Sequence, residues 1–128
     1  MSKSHASLSR RERQIMDILY EHGQGTAAEV LEKLPDPPSY SAVRAMLRVL
    51  EEKGHLKHHQ DGPRYVYQPT MSPQQAQETA LQRVLRTFFA GSTEKAVAAL
   101  LDMSSSKLSD EELERLRHLI EDSRKEGR

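Results

Sequence analysis

The chain has 128 residues, 36% of them hydrophobic and 30% charged, and its 19 Lys+Arg balance 19 Asp+Glu to a formal net charge of +0. That is the size of one ordinary domain, or of a small domain with an appendage, and the zero net charge disfavours a general polyanion coat protein, which should be basic. The lack of cysteine excludes disulfides, thiolate catalysis and Cys-based metal sites. No apolar run approaches the ~18 residues of a membrane span, and MSKSHASLSRRERQ lacks a signal-peptide core, so a soluble cytoplasmic protein is expected.

Met1 to Ser7 are mostly small and polar and read as a mobile tail. Ser9-x-x-Glu12 is a capping box that opens a first helix with Ile15, Ile18 and Leu19 as its apolar stripe, ended by Gly23 with Gly25. Thr26-x-x-Glu29 is a second capping box, opening a short helix that buries Val30, Leu31 and Leu34. Pro35, Pro37 and Pro38 then force a break. In YSAVRAMLRVLEEKGHL, Val43, Met46, Leu47 and Leu50 recur at helical spacing, with Ser41 as the expected cap and Gly54 as the stop.

The opposite face of this third helix carries Ser41, Arg44, Ala45 and Arg48. Two arginines one turn apart, flanked by small residues, suit a helix that enters a DNA major groove. A bland alternative is that both arginines pair with Glu51 or Glu52 on a solvated face.

After Gly54 the period changes. His55 to Gln60 and Pro63 to Pro69 read as strands around an Asp61-Gly62 turn, with Tyr65 and Tyr67 on one face and Val66 on the other. The expected fold is mostly α: a winged helix-turn-helix DNA-binding domain over residues 1–70, then an α-helical dimerisation domain over 71–128. Ser72-Pro73 starts the second part. Leu81, Val84, Leu85, Phe88 and Phe89 form a wide apolar face, Val97, Leu100 and Leu101 a second, and Leu113, Leu116, Leu119 and Ile120 a third after the Ser109-x-x-Glu112 capping box. A unit of ~60 residues has a marginal core. The simplest cover for three apolar faces is a second copy, so a homodimer is expected.

LSRRERQIMDILYEHGQGTAAEVLEKL, YSAVRAMLRVLEEKGHL, YVYQPTMS, FFAGSTEKAVAALL and LSDEELERLRHLIE together resemble the penicillinase repressors of the BlaI/MecI type, in that family's order and over nearly the whole chain. The resemblance implies a dimeric winged-helix repressor that reads an inverted-repeat operator in double-stranded DNA. It also implies derepression when a membrane-bound zinc metalloprotease sensor leads to cutting in the helix after FF-x-GS. There Ala99-Leu100 stands where the β-lactamase-linked members carry Asn-Phe. The copper-responsive branch carries C-terminal cysteines, which this chain lacks. Carried onto this sequence, Ser41, Arg44, Ala45 and Arg48 face the groove, with Arg44 the candidate for a guanine edge and Tyr40 beside a phosphate or thymine methyl. Lys57, His58, His59 and Arg64 belong to the wing and contact phosphates, as do the amides near Thr26.

Other readings of these residues are weaker. His58 and His59 are adjacent on a strand and point to opposite faces, so no metal site is expected from His55, His58 and His59. Glu111, Glu112 and Glu114 are explained by capping and solvation. No phosphate loop or nucleophile elbow is present, so neither an enzyme nor a cofactor is expected. The alternative to a repressor is a winged-helix protein-interaction module that does not read DNA.

Overall fold

A computed structural model describes residues 8–126, so the tail expected over Met1 to Ser7 lies outside the described residues. The elements are α1 (Arg10–His22), α2 (Ala27–Lys33), α3 (Tyr40–Glu52), β1 (Leu56–Asp61), β2 (Arg64–Pro69), α4 (Pro73–Phe88), α5 (Thr93–Ser104) and α6 (Asp110–Lys125). Three helices followed by a two-stranded antiparallel ribbon form a winged helix. The chain divides into two units, one up to Thr79 and one from Ala80, so that the first two turns of α4 belong with the winged helix.

The first unit folds around one apolar cluster. Ile15, Met16 and Leu19 of α1 meet Val30 and Leu34 from the α2 segment and Val43, Leu47 and Leu50 of α3. Leu56 and Tyr67 close the cluster from the wing, and Ile18, Leu31 and Met46 pack half-buried at its edge. Each fully buried Leu, Ile or Val contributes roughly 1.5–3 kcal/mol, and their helical spacing fixes which face of each helix turns inward. The reciprocal capping boxes Ser9/Glu12 and Thr26/Glu29 both form, satisfying the first amides of α1 and α2.

Three local expectations are corrected. The N-cap of α3 is Ser39, not Ser41. Ser39 holds an extended backbone after two prolines, and its Oγ accepts the Ala42 N–H at 3.1 Å. Ser41 therefore sits inside the first turn, with its side chain outward. The hairpin turn is Gly62-Pro63, because Asp61 and Arg64 are already paired across the ribbon. Gly62 supplies the positive φ of 63° required at the first central position, and proline takes the second, where its ring fixes φ.

Finally, Gly23 alone caps α1, with φ 86° and its N–H on the Leu19 carbonyl. Gly25 instead adds a third edge to the ribbon: its N–H donates to the Tyr67 carbonyl (2.9 Å) and its carbonyl accepts the Tyr67 N–H (2.8 Å). An added Cβ at Gly25 would meet Leu19 Cδ2 at 3.3 Å, so a side chain here would press on the core unless Leu19 gave by a few tenths of an ångström. The bridge ties the wing to the helices, which a bare two-stranded hairpin needs for stability.

The helices of the second unit contrast with this core. No residue of α4, α5 or α6 is buried. Ser92 and Ser109 cap α5 and α6, the latter through the expected capping box with Glu112. Among the described residues no helix is long and apolar enough to cross a membrane.

Candidate nucleic-acid interface

The outward face of α3 is built by the burial of the other. With Val43, Leu47 and Leu50 inside, Tyr40, Ser41, Arg44 and Arg48 are exposed and Ala45 is half-buried. The Arg44 guanidinium carbon lies 5.9 Å from the Tyr40 ring centroid, so the two side chains support each other at the N-terminal end of the helix. Neither Arg44 nor Arg48 makes an ion pair with a carboxylate among the described residues. The Glu51 carboxylate that α3 offers them is engaged elsewhere, with both its oxygens 2.7 Å from His58 Nδ1.

The wing presents two faces. Tyr65, Tyr67 and His58 share the one toward Glu51: the His58 and Tyr65 rings stack at 4.0 Å, and Tyr67 approaches them edge-on. Tyr65 and Tyr67 share one face as expected, but burial does not alternate, because Val66 and Tyr67 are both buried. Burial pushes the Tyr67 hydroxyl above its ordinary range, Glu51 and Tyr65 add to this, and Arg44 with Arg48 oppose it.

Lys57 and His59 lie on the opposite ribbon face, exposed. Arg64 sits at the tip with only a loose 3.7 Å pairing to Asp61, both well exposed. Of the four expected wing cations, His58 is held closely by Glu51 and Arg64 only loosely by Asp61. At α2, Thr26 is buried and spent on its capping box: its N–H donates to Glu29 Oε1 (2.8 Å) and its hydroxyl accepts the Glu29 N–H (3.2 Å).

Sequence reasoning found the Ser9–Glu12 cap but missed the long-range contacts that hold this frame. Besides accepting from the Ser9 N–H (2.9 Å), Glu12 accepts from Lys53 Nζ at 3.3 and 3.0 Å, joining the start of α1 to the end of α3. Arg11 reaches the turn between α2 and α3. Their sequence separations, 41 for Glu12–Lys53 and 24 and 25 for the Arg11 bonds, leave no local signal. No group of His, Asp and Glu among the described residues has the arrangement to hold a metal.

A buried three-helix frame, an exposed helix with two unpaired arginines and a cation-edged ribbon define a winged helix-turn-helix of the DNA-binding regulator class. The penicillinase repressor family model matches residues 8–122, and the chain belongs to that family, which is one of DNA-binding transcriptional repressors rather than enzymes. A penicillinase repressor of Bacillus licheniformis is 27% identical over 122 residues, covering 94% of each chain. The solved DNA-binding domain of the repressor BlaI is 29% identical, covering 56% of this chain and 89% of that one, with a TM-score of 0.48. The chain of the hsRosR-S4 complex shares the fold at a TM-score of 0.60, with 16% identity over 82% of this chain and 96% of that one.

Proposed function

We propose that the chain represses transcription in the cytoplasm as a homodimer, each protomer laying α3 into the major groove of one half of an inverted-repeat operator. Arg44 reads a guanine edge, Arg48, Ser41 and Ala45 line the groove, and Tyr40 flanks the backbone. Lys57, His59 and Arg64 meet phosphates from the wing. A twofold dimer sets its two reading helices ~34 Å apart, one turn of DNA. The observation that carries this reading is the pair Arg44 and Arg48, exposed one turn apart without a carboxylate partner.

Support for the homodimer comes from the uncovered apolar residues of the second unit: Leu81 is 60%, Phe88 75%, Leu100 57% and Ile120 57% exposed. Val84, Val97, Leu101 and Leu113 are exposed with them, while Leu85, Phe89 and Leu116 are half-buried. We assign the division of labour as residues 1–70 for DNA and 71–128 for dimerisation. Induction follows from a cut at Ala99-Leu100, linked to a membrane-bound metalloprotease sensor. That bond lies within α5. A cut there separates the reading heads and removes the avidity of paired half-sites.

The test is a DNase footprint of the full chain on the DNA upstream of its own gene, with Arg44→Ala alongside. A protected inverted repeat is expected, lost in the variant. Wild-type affinity should fall ~10³–10⁵ between about 50 and 200 mM salt if the dimer neutralises ~6–10 phosphates. Binding that ignores salt and survives Arg44→Ala would refute the reading of α3, and no protection at micromolar dimer would favour a protein-interaction module.

A further inference from the structure

Arg11 stands half-buried on α1, outside every group assigned above. Its guanidinium forks onto the turn that joins α2 to α3. Nη1 donates to the Pro35 carbonyl at 2.8 Å and to Gln14 Oε1 at 3.1 Å, while Nη2 donates to the Asp36 carbonyl at 2.9 Å. Two successive carbonyls are thus held by the two ends of one rigid plane. Gln14, one turn along α1, fixes the plane from behind.

The turn it grips is where the chain is least at ease. Asp36 has a φ of 43°, a left-handed conformation uncommon for a residue with a side chain, and it immediately precedes Pro37, whose ring narrows its choices further. Beyond it lie only Pro37, Pro38 and the capping Ser39 before α3 begins. Prolines have a fixed φ, so the direction set at Asp36 passes to Tyr40, Ser41 and Arg44 with little slack.

We propose that Arg11 is a positioning residue for DNA reading: by clamping the Pro35-Asp36 turn it sets the angle and depth at which the N-terminal end of α3 meets the groove. This rests on the assignment of α3 as the reading helix. The planar fork is what the clamp requires. A lysine in its place keeps the charge but presents a single flexible ammonium, which cannot hold two carbonyls in one fixed relation.

The experiment uses the full chain as wild type, Arg11→Lys and Arg11→Met. Its two probes are the duplex that the wild type enriches from a random-sequence library and poly(dI-dC) as non-specific DNA. Both variants should lose roughly tenfold or more on the enriched duplex, the order of one well-placed base contact, and less than about twofold on poly(dI-dC). The salt slope on the enriched duplex should not change, because no phosphate contact is removed. Asp36→Gly keeps both backbone carbonyls that Arg11 holds and tolerates the positive φ, so with Arg11 in place it should keep both thermal stability and discrimination; a loss there would move the control from the clamp to the Asp36 side chain.

Hydrogen exchange should rise in Arg11→Lys at Ala42 and Val43, whose N–H groups donate to the Ser39 Oγ and carbonyl, and stay unchanged in α1. Equal losses on both DNAs, no loss on either, or a slope shallower by about one charge in Arg11→Met alone would overturn the clamp, the last by making Arg11 a phosphate contact. A wild type that enriches no sequence would remove the reading-helix assignment and the clamp together. A selective wild type matched by its variants would remove the clamp alone.

Discussion

Replacing Glu12 separates two jobs that one buried carboxylate performs. Glu12 is 7% exposed, closes the capping box of α1 through the Ser9 N–H, and pairs with Lys53 at the end of α3. Glu12→Gln can still reach the Ser9 N–H but cannot form the ion pair. Glu12→Ala loses both. Lys53 keeps 45% of its side chain in water, so removing its partner strands no buried charge, and the pair contributes only about 0–1 kcal/mol. The capping contact adds about 1 kcal/mol. Urea unfolding should therefore place Glu12→Gln up to about 1 kcal/mol below wild type and Glu12→Ala about 1–2 kcal/mol below it. A glutamine variant that falls as far as the alanine one, or an alanine variant with unchanged stability, would refute this partition.

The same residue gives the chain a signed pH dependence. Burial pushes the Glu12 carboxyl up, but the Ser9 and Lys53 hydrogen bonds and the Lys53 charge together bring it below its ordinary value. A depressed folded pKa contributes stability that is present above the unfolded pKa, about 4.3, and lost as pH falls through the lower folded one. Glu29 and Glu112 are depressed by their own capping serine or threonine and act in the same direction. The measurement is therefore the difference between wild type and Glu12→Gln, which should narrow as pH drops below about 4.

Two further substitutions test particular assignments. Ser39→Ala should cost about 1 kcal/mol as loss of the α3 cap, whereas Ser41→Ala should stay within about 0.5 kcal/mol in thermal unfolding; the reverse order would restore Ser41 as the cap. Phe88→Asp puts a charge on the most exposed ring of the second unit and should shift sedimentation from dimer to monomer while leaving the circular dichroism of the first unit's helices intact. A variant that stays dimeric would move the interface away from α4.

The fold was legible because its signals are local and agree with one another. Capping boxes at Ser9, Thr26 and Ser109, apolar stripes at helical spacing and the change to period two after Gly54 all lie within a few residues of what they determine. Errors arose where two neighbours competed for one role. Ser39 and Ser41 both suit a cap, and the two prolines before Ser39 decide between them by holding it extended. Asp61-Gly62 and Gly62-Pro63 both suit a turn, and cross-strand register decides. The frame of the site was illegible for a different reason: Arg11 grips backbone carbonyls, which have no residue type to look for, and Lys53 and Glu12 meet only through the packing of α1 on α3.

Zero net charge taken alone argues against a DNA-binding surface, and acids and bases nearly balance within residues 1–70 as well. What matters near the groove is which carboxylates are free to answer Arg44 and Arg48. Glu12 is tied to Lys53, Glu29 to Thr26, and Glu51 to His58. Two carboxylates of α3 are spaced to reach Arg48: exposed Glu52, four residues on, makes no ion pair with it, and Glu51, three residues on, is the one that a neighbouring side chain holds back. His58 therefore has a second way to matter besides any contact with a phosphate: it keeps Glu51 away from Arg48. His58→Ala should weaken operator binding, and adding Glu51→Gln should restore most of the loss if capture of Arg48 is the cause. Failure of the double variant to recover would assign His58 to the DNA backbone instead, and the salt slope of the single variant should then be shallower by about one charge.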